Sequence, residues 1–92
     1  MDNSDVDLMR LPAVLERTAK SRSVFFRAVD AGVWTPAVKI GRNTFWPRHE
    51  VRALMGAEIN GATPEQMKQL VADLLAQRKA LMPVSLRETE AA

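Results

Sequence analysis

The sequence predicts one small, mainly α domain with a small β-hairpin and a C-terminal amphipathic helix. Three observations carry that expectation. Apolar residues recur at spacings of three and four in four separate stretches, the period of a half-buried helix. One stretch, "TPAVKIGRNTFWP", instead sets β-branched and aromatic residues on both sides of a Gly-Arg-Asn turn, the pattern of a hairpin. Finally, 92 residues make one modest core and leave no room for an elaborate enzyme cleft.

The elements follow in chain order. Residues 1–8 are polar and acidic and read as a flexible N-terminus. "LPAVLERT" predicts a first helix from Pro12 to Thr18, with proline at a first-turn position where its missing N–H costs nothing. Leu11, Val14 and Leu15 then share its core face, leaving Glu16 and Arg17 outside. Ser21 is placed to cap a second helix over 22–31, which Gly32 stops by offering the left-handed conformation. Around that helix, Phe25, Ala28 and Val29 fall on one side, and Ser23, Phe26, Arg27 and Asp30 on the other. Phe25 is therefore expected in the core and Phe26 on the surface.

The hairpin occupies 37–46, with Val38 and Ile40 facing the helices and Lys39 and Arg42 facing solvent. Trp46 closes it as a core plug. Pro47 opens a third helix, "PRHEVRALMGAEI", whose apolar side is Val51, Leu54 and Met55 and which Asn60-Gly61 ends. Thr63-Pro64-Glu65-Gln66 is a capping box that starts a fourth helix within 63–82. Its stripe of Met67, Leu70, Val71, Leu74, Leu75, Leu81 and Met82 is broken only by Arg78. Such a stripe is covered either by the helix's own domain or by a second copy or partner, with Met67, Leu70, Val71, Leu74 and Leu75 as the self-association seam. The tail, 83–92, is expected to be disordered.

Charge is uneven along this plan. Residues 10–52 hold nine basic side chains against three acidic ones, a net +6 inside a chain whose total is +2. A compact positive segment of this kind suits a polyanion. Two short helices joined by a tight connector, the second opening with Ser21, Arg22 and Ser23, match a helix-turn-helix that enters the DNA major groove by the N-terminal end of its second helix. With the hairpin as a wing, the whole reads as a winged helix-turn-helix over 9–60.

Other chemistries find little support. Cysteine is absent, so there is neither a disulfide framework nor a thiolate metal site. His49 is the single histidine and reads as a surface residue, while Glu16 and Asp30 are isolated carboxylates. No catalytic residue, metal or cofactor is expected. No stretch reaches the roughly 18 apolar residues of a membrane span, and the acidic start is unlike a signal peptide, so a cytoplasmic protein is expected.

Residues 9–55 carry a family resemblance. "RLPAVLERT" for a first helix, "SRS" followed by an aromatic and Arg27 for a recognition helix, "AG" for its stop, and "PAVKIG" leading to Trp46 resemble the AlpA-type phage regulators, relatives of small excisionases with a MerR-like winged helix-turn-helix. That resemblance implies double-stranded DNA, a promoter or an attachment site, as the partner, with an integrase as a further one. It implies DNA contacts at Ser21, Arg22, Ser23 and Arg27, and Arg42 at the wing tip. Ala19-Lys20 departs from the glycine and apolar residue usual there, and Val24 and Phe26 replace a common threonine and tyrosine. Phe26 joins the DNA-facing set by its position on the helix. Phosphate neutralisation is expected from Arg10, Arg17, Lys20, Lys39, Arg42 and Arg48. Regulator and excisionase are not separated by the sequence, and an adaptor that binds protein through the winged domain and fourth helix is the alternative from another class.

Overall fold

A computed structural model describes residues 7–83, which contain the three-residue strand β1 (Leu8–Arg10), α1 (Leu11–Thr18), α2 (Arg22–Asp30), β2 (Val38–Ile40), β3 (Asn43–Pro47), α3 (Arg48–Ile59) and α4 (Pro64–Ala80). It is mostly helical, with a small antiparallel sheet ordered β1-β3-β2. The expected tail from 84 onward and residues 1–6 of the expected flexible start lie outside the described residues.

The local stop and start signals act as their chemistry requires. Ser21 Oγ accepts from the Val24 N–H at 3.2 Å, and Gly32 takes φ 79° just past α2. At Thr63 both halves of the capping box form: the Gln66 N–H donates to Thr63 Oγ1 at 3.1 Å and the Thr63 N–H to Gln66 Oε1 at 2.8 Å. The α1–α2 connector turns at Ala19, whose φ of 58° is left-handed and carries a steric cost that glycine would avoid.

The core is built around aromatic rings. Phe25 is fully buried and meets Trp34 and Trp46 edge-to-face at 5.5 and 5.1 Å between centroids. The Trp46 indole N–H donates to the Thr35 carbonyl at 2.9 Å, which pairs the plug's polar atom inside the core. Val14, Val51 and Leu54 complete this layer from α1 and α3.

Four expectations are corrected here. Leu8 and Met9 belong to a strand that the sequence did not announce. Met9 pairs with Trp46 and is buried beside it. Val38 and Ile40 do not face the helices. β2 pairs Val38 with Phe45 and Ile40 with Asn43, the pleat face opposite Trp46, and Ile40 is 52% exposed. The inner face is taken by the bulky Met9–Trp46 pair, so the smaller apolar residues of β2 go outward. Phe26 is half-buried rather than on the surface, because its ring packs at 5.4 Å on Phe25 and 6.3 Å on Trp46. His49 is half-buried as well.

The stripe of α4 packs on its own domain from Met67 to Leu75, while Leu81 and Met82 stay exposed. Met67, Val71 and Leu74 are buried in the common core, and Leu70 and Leu75 are half-buried against it. Met67, Val71 and Leu74 are therefore closed to a second copy, while Leu70 and Leu75 keep part of their surface. Arg78, the one break in the stripe, reaches the fully buried Glu50 of α3 with two hydrogen bonds of 2.7 Å and the Pro36 carbonyl with a third of 2.8 Å. That fork ties α4 and α3 to the segment leading into the hairpin.

Candidate nucleic-acid interface

The basic side chains sort into those already engaged and those left open. Lys20 is engaged: its ammonium contacts both Glu58 oxygens at 3.0 Å and sits 5.5 Å from the Trp34 ring centroid, with 18% of the side chain exposed. It pins the α1–α2 connector to the end of α3. Arg10 lies 5.2 Å over Phe45 and donates to Asn43 at 3.4 Å, and Arg48 pairs with Asp7 at 3.6 Å.

The second helix is arranged differently. Its cap leaves Arg22 and Ser23 exposed in the first turn, and Arg27 exposed one turn after Ser23 on the same face. Arg22 is held with its guanidinium carbon 5.5 Å from the Phe26 ring centroid, a contact of about 0.5–1 kcal/mol at an exposed site that restricts the arginine's range. Here Phe26 has a use the sequence reading did not give it: one side packs on the core and the ring supports Arg22. Ser21 and Ser23 hydroxyls lie 3.5 Å apart at the helix entrance, where free N–H groups and the helix dipole favour an anion.

Lys39 and Arg42 are exposed on the hairpin, Arg42 beside Gly41 with its φ of 63° at the tip. Among the described residues, the side chains of Arg27, Lys39 and Arg42 make no hydrogen bond or ion pair. Their donors are available to an external acceptor. A guanidinium can offer two parallel N–H groups to a phosphate or to guanine O6 and N7, and serine hydroxyls can bond to phosphate oxygens.

Arg17 lies apart from this set. It lines a groove between α1 and α3 together with Arg48 and Arg52, to which neither α2 nor the hairpin contributes. The sequence singled out most of the open cations but also Lys20, because charge counting cannot see that Glu58, 38 residues later, folds onto it. Glu50 and Arg78 went unnoticed as a pair for the same reason. Compared with protein-family models, curated proteins and solved structures, the chain matches none. No helix among the described residues is long and apolar enough to cross a membrane.

Proposed function

We propose that the protein is a sequence-specific binder of double-stranded DNA, built as a winged helix-turn-helix and acting without a cofactor and without catalysis. In this reading α1 and α2 are the helix pair, α2 enters the major groove by its Ser21–Arg27 end, and the β2–β3 wing lays Lys39 and Arg42 on the backbone. The observation that carries it is the set of open donors on one short helix: Arg22, Ser23 and Arg27 stay exposed while Lys20 and Arg78 are consumed internally. Arg22 and Arg27 read bases or clamp phosphates, and Ser21 and Ser23 bond phosphates at the helix entrance. The resemblance to AlpA-type regulators supports the same assignment and adds the context of a phage or mobile element. A promoter site would make the protein a transcription regulator. An attachment site would make it an excisionase-like factor working with an integrase.

Fluorescence anisotropy with the DNA lying upstream of its own gene tests the proposal. Arg22→Ala and Arg27→Ala are each expected to cost about 1–3 kcal/mol of binding and to relax sequence preference at one position. If both variants bind and discriminate like the parent, α2 is not the reading helix.

A further inference from the structure

We infer that the groove between α1 and α3 docks an acidic amphipathic helix from a partner protein. This surface is separate from the face of α2 and stands whether or not α2 meets DNA. The groove has a volume of about 490 Å³. Along α3 it is lined by two parallel rows at four-residue spacing: Arg48, Arg52 and Gly56 in one, Val51, Met55 and Ile59 in the other. Arg17 of α1 faces them across the groove.

Charge and apolar surface occur together here. The side chains of Arg17 and Arg52 make no ion pair or hydrogen bond among the described residues, and of the three arginines only Arg48 has a carboxylate, Asp7 at 3.6 Å. Ile59 is 79% exposed, which is costly for a residue whose row continues into the buried Val51. A phosphate backbone would neutralise the arginines but leave Met55 and Ile59 wet. A helix with leucines at i, i+3 and i+7 flanked by glutamates satisfies both rows, the apolar residues as anchors and the carboxylates on the arginine forks.

Gly56 is the second, independent observation. Glycine is among the poorest helix formers, yet it sits inside α3, and a Cβ built there meets nothing within 4 Å. No neighbour within the domain requires a bare backbone at that point. The groove does: an absent side chain lets a second helix approach α3 closely.

The test uses the full chain and a labelled peptide of about four helical turns with leucines at i, i+3 and i+7 and glutamates between. Two control peptides carry lysine for glutamate or serine for leucine. The acidic peptide is expected to bind at least about tenfold tighter than either control, and Gly56→Leu and Arg52→Glu are each expected to weaken it by about tenfold or more. Gly56→Leu should melt at or above the parent temperature and keep its DNA affinity, so a loss of peptide binding there reports the groove and not the fold. Equal binding of the lysine peptide, or unchanged binding by both variants, overturns the inference. So does an Arg52→Glu protein that loses duplex DNA affinity while still holding the peptide, which would give this surface to DNA.

Discussion

Arginine does opposite work on two helices of this domain. Arg78 on α4 is folded inward, its fork closed on a carboxylate with no solvent exposure and on a carbonyl near the hairpin. Arg22 and Arg27 on α2 are held outward, one propped on a phenylalanine ring and the other without a partner among the described residues. The first arrangement commits three of the side chain's five donors to the fold, so its value is architectural. The second keeps that bonding in reserve, which is the state a binding residue needs before its ligand arrives. Net charge treats the two alike. What separates a structural cation from a functional one is whether the fold has already supplied its anion.

Removing the architectural helix should have the largest effect. A chain ending at Ala62 loses Met67, Val71 and Leu74 from the core and leaves Glu50 buried without its arginine, so we expect no cooperative melt by circular dichroism. A truncated chain that stays folded and monomeric would mean that α4 is an appendage. Arg78→Ala is the milder version. Stranding a buried carboxylate typically costs about 3–5 kcal/mol, and at ~4–8 °C per kcal/mol for a domain of this size the melting temperature should fall by at least about 12 °C. Replacing both partners at once, Glu50→Met with Arg78→Leu, should recover much of that loss, which distinguishes the stranded charge from lost packing.

The outward arginines should behave otherwise. Arg22→Ala and Arg27→Ala are expected to change stability by no more than about 1 kcal/mol, the upper end being the lost contact of Arg22 with Phe26. A large destabilisation by either would move it into the architectural class. The smallest effect is expected at the connector: Ala19→Gly relieves a left-handed alanine costing about 1–2 kcal/mol and returns part of the gain as unfolded-state entropy, a net stabilisation of roughly 0.5 kcal/mol. A loss of stability there would show that the turn is held by something other than local sterics.

The same contrast explains what was legible in the sequence. Caps and stops depend on residues within three or four positions, so Ser21, Gly32 and the Thr63–Gln66 box were readable from the string and formed as expected. Helical periodicity marked Val14, Phe25, Leu54 and Val71 as core for the same local reason. Strand β1 was not readable, because a three-residue strand with one inward side chain shows no alternation to detect. The hairpin was recognised, and Lys39 and Arg42 are exposed as expected, but Val38 and Ile40 were assigned to the wrong face. Period-two patterning says which residues share a face, and only the distant Met9 opposite Trp46 decides which face is inside. At the candidate interface, Arg22, Arg27 and Arg42 were singled out by composition and position, and all three lie exposed. The pairing of Lys20 with Glu58 was not legible because its partner lies 38 residues away, and the contact of Arg22 with Phe26 needs the ring's orientation, which core packing sets.

The most direct test of a DNA-binding face made from reserved cations is the salt dependence of affinity for duplex DNA. Binding should weaken as a power of salt concentration with a slope near −0.9 per phosphate neutralised, so Lys39 and Arg42 on the backbone, with Arg22 and Arg27 adding where they clamp phosphates, predict a slope of about −2 to −4. Arg42→Ala should make it shallower by about one unit, while Lys20→Met, at a cation already paired with Glu58, should leave it unchanged. A flat salt dependence, or no binding at low salt, would contradict the account.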